Sequence, residues 1–90
     1  MKTVTPALAI INEVAKEHRL KARDLLGRNV KRSVSWPRML AYWRIRTELE
    51  YSLLRIAAIF KRDHTTILHG IRRVEAHLAE QEAETLNPEG

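Results

Sequence analysis

Apolar residues recur along this chain at spacings of three and four, the period of helices with one buried face, and little of it alternates as a strand would. Thr5-Pro6 reads as a helix start, with Thr5 as N-cap and Pro6 at the first position, where a missing N–H costs nothing. Ala7, Ile10, Ile11 and Val14 then keep one apolar face to about His18. Lys21 to Leu26 reads as a short helix closed by Gly27, expected in the left-handed conformation. Arg28 to Ser33 is a basic connector without periodicity. Ser35-Trp36-Pro37 opens a helix to about Leu49, with Leu40, Trp43 and Thr47 along one side and Met39 and Tyr42 flanking it. Such an aromatic cluster on one helix is read as core rather than as a base-stacking platform, which is commonly built on a sheet.

The second half has its own punctuation. Ser52 caps a helix holding Leu53, Ile56 and Phe60, and Ala57 is small where two helices must approach closely. Lys61-Arg62 makes a turn, and Asp63, a good N-cap, opens a helix to about Ala79 with Ile67, Ile71, Val74 and Leu78 as its apolar stripe. Thr65, His69, Arg72 and Arg73 fall on another face. From Glu80 to Gly90 the periodicity is lost, giving an acidic tail expected to be disordered. The expectation is a small all-α domain of about four to five helices with a helix-turn-helix over residues 1–79, followed by an acidic tail over 80–90.

Ninety residues allow one small core. With no cysteine there is neither a disulfide framework nor a thiolate zinc site, which fits a cytoplasmic, nucleoid-associated home. No apolar run reaches the roughly 20 residues that cross a bilayer, and Met1-Lys2-Thr3-Val4 leads into a periodic segment rather than a signal peptide. The formal net charge is +5, and residues from Ala76 onward hold no Lys or Arg but four Glu. All the excess positive charge therefore lies in the helical part, which suits a polyanionic partner.

The block Arg62-Asp63-His64-Thr65-Thr66, followed by Ile67-Leu68-His69, resembles the signature of the C-terminal DNA-binding domain of the DnaA replication-initiator family. The likeness extends through Ser33-Val34, Pro37-Arg38, Ser52-Leu53, Ile56 and Phe60, and covers roughly Ile10 to Glu75. It implies a helix-turn-helix that binds short, asymmetric duplex boxes in the major groove, and with no heptad seam or large apolar patch for a dimer the chain is expected to bind as a monomer. Base contacts then fall to Leu53, Leu54, Asp63, His64 and Thr65. Phosphate or minor-groove contacts fall to Arg28, Lys31, Arg32, Arg38, Arg46, Ser52, Arg55, Lys61, Arg62, Thr66, Arg72 and Arg73. His69 is open between core support and phosphate contact. Arg38 and Arg46, eight residues apart and on roughly one helix face, are expected as a pair of phosphate clamps, a use the resemblance supports.

Four positions depart from the family pattern. Leu54 stands where a proline commonly follows the Ser-Leu pair, and Arg55 where an acidic residue is usual. Lys61 replaces a Gly-Gly pair, shortening the turn by one residue. Val30 occupies the place of an arginine that enters the minor groove, so Arg28, Lys31 or Arg32 must take over or the contact is lost.

The only glycines are Gly27, Gly70 and Gly90, so the chain holds no phosphate-cradling loop for ATP. No carboxylate cluster has metal-ligand spacing, and His64 and His69, five apart, point in different directions. The expectation is a non-enzyme with no cofactor, metal or small-molecule substrate. Its reading is sequence-specific duplex binding at DnaA-box-like sites, regulating replication or transcription, with a host replication protein as a further partner. Met1 and the non-periodic end favour a complete small protein, as from a phage or mobile element. The alternatives are a helix-turn-helix that binds protein, or the targeting fragment of a full initiator.

Overall fold

A computed structural model describes residues 5–86, and every regular element among them is helical. The order is α1 (Pro6–Glu17), α2 (Ala22–Leu26), α3 (Arg32–Leu49), α4 (Leu53–Phe60) and α5 (His64–Leu86). Met1-Lys2-Thr3-Val4 and Asn87-Pro88-Glu89-Gly90 lie outside the described residues.

Helix α1 starts as the sequence dictates. The Thr5 hydroxyl accepts from the Leu8 N–H at 3.2 Å, and Pro6 occupies the first turn. Its buried face, Ala7, Ile10, Ile11, Val14 and Ala15, packs on α3 and α2. An Arg44 guanidinium ties the outer edge of that contact, 3.2 Å from Glu13 on α1 and 2.6 Å from Glu48 on its own helix. Both pairs are exposed and contribute little on their own.

Helix α3 departs from expectation twice. It begins at Arg32 rather than near Ser35, with Val34 and Ser35 donating to the Lys31 carbonyl at 2.9 and 2.7 Å. Pro37 therefore sits in the second turn, where its missing N–H deprives only the Ser33 carbonyl of a helical donor. The buried face is also rotated: Val34, Pro37, Arg38, Ala41, Tyr42 and Ile45 point inward, whereas Leu40 and Trp43 are half-buried and Thr47 is exposed.

Helices α4 and α5 form the helix-turn-helix, and α5 packs chiefly on α3. Gly70 makes that approach possible, because a Cβ there would lie 2.8 Å from Tyr42 Cδ2 and 3.0 Å from Met39 Cγ. Tyr42 in turn meets Phe60 edge-on, with centroids 4.7 Å apart. Ile67, Ile71 and Val74 are buried from α5, and Leu78 is half-buried. Helicity does not stop near Ala79 but runs to Leu86, so the first part of the expected disordered tail is a solvated helical extension. The run Ala79 to Ala83 holds good helix formers that propagate α5.

Gly27 does not take the left-handed conformation; its φ is −83°. Positive φ falls instead on Arg19, Glu50 and Lys61 at 58°, 56° and 54°. The last two close α3 and α4.

Candidate nucleic-acid interface

The first turn of α5 is built by Asp63. Its Oδ1 accepts from the Thr65 N–H at 2.8 Å and from the Thr65 hydroxyl, while its carbonyl receives the Thr66 and Ile67 N–H groups. These bonds favour the ionised form, the Thr65 hydroxyl most of all, and hold the Asp63 carboxyl below its ordinary pKa. His64 Nδ1 lies 3.5 Å from the same oxygen. Asp63, His64, Thr65 and Thr66 are all exposed, so the start of α5 presents polar tips to solvent. One and two turns on, His69, Arg72 and Arg73 continue that exposed face. Exposure takes His69 out of the core.

Helix α4 is capped by Ser52, whose Oγ accepts from the Arg55 N–H at 3.1 Å. Leu53 is half-buried against the core, so it is mainly a packing residue, whereas Leu54 is 69% exposed beside it. Arg55 stacks its guanidinium 3.7 Å over the Tyr51 ring. Arg46 donates to the Tyr51 carbonyl at 2.7 Å and remains exposed. Tyr51 thus seats two cations beside the N-terminus of α4, a role that sequence reasoning missed. Its position just before a serine cap beside Arg55 was the available signal.

The loop before α3 carries the exposed cations Arg28 and Lys31, and Arg32 continues them on the first turn of the helix. Its shape is fixed from behind. Arg38 donates through Nε to the Leu25 carbonyl at 2.6 Å, through Nη1 to Asn29 at 2.8 Å, and through Nη2 to Asp24 and Gly27 at 3.0 and 3.1 Å. Arg62, half-buried in the turn before α5, reaches the same Gly27 carbonyl at 2.6 Å and the Phe60 carbonyl at 3.2 Å.

This geometry corrects the expectation that Arg38 is a phosphate clamp. The residue is 4% exposed and its guanidinium is engaged by four carbonyls. Two of them, of Asp24 and Leu25, belong to the last turn of α2 and have no helical donor of their own. Burial first, and the nearby Arg62 charge second, push the Arg38 pKa down. Burial likewise pushes Tyr42 up, against the opposing pull of the two arginines.

Between the connector and α5 lies a groove of about 310 Å3. Val30 and Ser35 line one side, Thr66, His69 and Arg73 the other, with Arg62 and Tyr42 at the base. No carboxylate lines it among the described residues. The cationic residues expected to touch phosphate are thus brought together on the connector and α5, with Lys61 exposed between α4 and α5. Arg46 and Arg55 form a separate group near the α4 start. Among the described residues no group of three or more His, Cys, Asp or Glu is placed to hold a metal, and no helix is long and apolar enough to cross a membrane.

An exposed, capped recognition helix, a tight preceding turn and a cation-lined groove define the class: a helix-turn-helix module of the DNA-binding type. The chain belongs to the family described as bacterial DnaA protein helix-turn-helix, whose model matches residues 8–74. The chromosomal replication initiator protein DnaA of Neisseria gonorrhoeae is 42% identical over 82 residues, covering 90% of this chain and 16% of that protein. Its counterpart in Thermomicrobium roseum is 36% identical over 80 residues, 88% of this chain and 17% of the relative. DnaA 2 of Protochlamydia amoebophila is 29% identical over 83 residues, 92% and 18% respectively. The chain therefore spans less than one fifth of the length of these relatives.

Proposed function

We propose that this chain is a sequence-specific duplex-DNA-binding module that acts at DnaA-box-like sites to regulate replication or transcription. The observation that carries this reading is the exposed polar start of α5, with Asp63, His64, Thr65 and Thr66 at the tip of a helix anchored by Ile67, Ile71 and Val74. A helix supported on one face and polar at its N-terminus is what enters a major groove. His64 and Thr65 read base edges there, with Asp63 holding the turn and offering its second oxygen as an acceptor. Leu54 adds apolar contact with thymine methyl groups. Arg28, Lys31, Arg32, Arg46, Ser52, Arg55, Lys61, Thr66, His69, Arg72 and Arg73 hold the backbone, and Arg62 does so only with the donors its carbonyl contacts leave free.

Binding is by one copy on an asymmetric site, and these residues act without ATP hydrolysis, in the cytoplasm on the nucleoid. A host replication protein competing for the same boxes is the natural second partner. The test is selection of bound sequences from random duplex DNA, followed by affinity and stoichiometry on the selected site. One asymmetric box, bound one to one, is expected. Equal affinity for selected and scrambled duplexes ends the specificity claim, and a two-fold symmetric site ends the monomer claim.

A further inference from the structure

Independently of the duplex reading above, we propose that the seam between α3 and α5 binds single-stranded nucleic acid, with an unpaired base stacked on Trp36 and the backbone held by Arg32 and Arg73. Both tryptophans stand on α3, and the sequence reads both as core. The structure separates them. Trp43 packs against the core cluster, whereas the ring that meets Trp36 is that of His77 on α5, edge-on with centroids 5.0 Å apart. Trp36 is half-buried and His77 exposed, so part of the indole stands in the open.

Trp36 and Arg32 border two depressions of about 290 Å3 each. His18, Ser33, Pro37 and His77 complete the first, and Ser35, Met39 and Arg73 the second. The second shares those three residues with the groove of about 310 Å3 beside the start of α5. The three depressions therefore form one trough along the seam, from Thr66 to His77, which is roughly 16 Å of helix. No carboxylate lines any part of it among the described residues. Beyond His77 the helix carries Glu80, Glu82 and Glu84, and the cationic path ends there.

That lining fits a row of phosphates carrying flat rings. Arg32 and Arg73 are exposed, and neither forms an ion pair among the described residues, so a phosphate displaces no carboxylate. An aromatic side chain beside a cationic groove accepts any base, because every base has a π-face. In a duplex those faces are already covered by stacking, so Trp36 favours unpaired nucleotides. Ser33 adds a polar contact at the same place. Pro37 leaves its carbonyl without a helical N–H, an acceptor for the amino or imino group of a base edge.

The test takes the full chain with three labelled probes: an oligothymidine of about eight nucleotides, an abasic strand of the same length and charge, and a hairpin duplex of mixed sequence. Anisotropy reads affinity, and tryptophan emission reads stacking. The oligothymidine should bind about tenfold or more tighter than the abasic strand and quench the emission. In Trp36→Phe, where Trp43 is the remaining emitter, the quenching should vanish while most of the affinity stays. Trp36→Leu keeps apolar bulk beside His77 but no ring. It should bring the two strands to within about twofold of each other, with melting temperature and duplex affinity unchanged. Arg73→Gln should weaken both strands alike and lower the salt slope by about 0.7. Equal binding of thymidine and abasic strands by the parent chain overturns the proposal, as does a thymidine preference that survives in Trp36→Leu or quenching that survives in Trp36→Phe. Strand preference without any selected duplex site removes the duplex reading and upholds this one.

Discussion

Arg38 and Arg46 stand on one helix, yet the regions around them use an arginine in opposite ways. Near Arg38 the guanidinium goes inward, because the α3 face bearing Val34, Ala41, Tyr42 and Ile45 carries it into the core. There it meets the unsatisfied end of α2 and the backbone of the connector. Near Arg46 the helix has turned by about 80° over eight residues. The guanidinium emerges beside Tyr51, makes one bond to a backbone carbonyl and stays in solvent. Residue type does not separate the two. What separates them is the helix face and the number of orphaned carbonyls within reach. One arginine is a fold residue that shapes the connector from behind, and the other stays at the surface, where we propose that it holds a phosphate.

Removing Arg38 should give the largest effect. In Arg38→Met the length is kept but four carbonyls lose a charged donor, and at least those of Asp24 and Leu25 have no helical replacement. We expect a loss of about 3 kcal/mol, within the range for breaking a buried charged network, read as a drop of more than about 10 °C in Tm. Arg38→Lys should recover only a fraction, since a compact ammonium cannot span carbonyls on two sides of a loop. A Tm within a degree or two of the parent would erase the distinction between the two arginines.

Gly70→Ala attacks the same inner region from α5. The new methyl would stand 2.8 Å from Tyr42 Cδ2. Tyr42 cannot swing aside, being buried and held edge-on against Phe60. Overpacking of this kind costs about 1–3 kcal/mol. A neutral result by denaturant titration would show that α3 and α5 are packed less tightly here than the distances require.

How much of this was legible in the sequence differs between the two regions for a physical reason. Helix α1, the Ser52 and Asp63 caps, and the apolar stripe through Ile67, Ile71 and Val74 follow from local spacing and capping, and the structure has them. The start of α3 was misplaced because Pro37 looks like a first-turn residue, while the chain tolerates it one turn later. The Arg38 clamp was invisible for another reason. Its partners are carbonyls 9 to 14 residues upstream, and a backbone acceptor has no sequence signal. Gly70 did carry a signal: an isolated glycine inside a helical pattern marks a close approach. The exposed first turn of α5 was legible in both residue types and place, because capping chemistry is local.

Lys61 lies at the seam between the two regions and should respond with a gain. Its φ of 54° is left-handed, a conformation that costs a residue with a Cβ about 1 kcal/mol or more. Lys61→Gly relieves that strain but adds freedom to the unfolded chain, so a net gain of about 0.5–1 kcal/mol in stability is expected. Duplex affinity should fall at low salt through the lost cation. Stability and binding moving in the same direction would contradict the placement of Lys61 as a strained but exposed contact.

Arg46→Ala should change stability least of all. The side chain is exposed, and its bond to the Tyr51 carbonyl leaves an acceptor that water can satisfy. The change in unfolding free energy should stay within about 0.5 kcal/mol. Under the proposed reading, binding is where the residue acts. If Arg46 holds a phosphate, its removal weakens selected and scrambled duplexes by the same factor and lowers the slope of log affinity against log salt by about one. The base preferences obtained by selection should not move, because a phosphate contact carries no sequence information. Arg55 offers an internal control, since it stacks on the Tyr51 ring rather than on the carbonyl that Arg46 uses. Its own replacement should produce a second, separate decrement in slope. If Arg46→Ala shifted the preferred bases, or left the salt slope untouched while lowering Tm, Arg46 would belong with Arg38 among the residues that shape the fold.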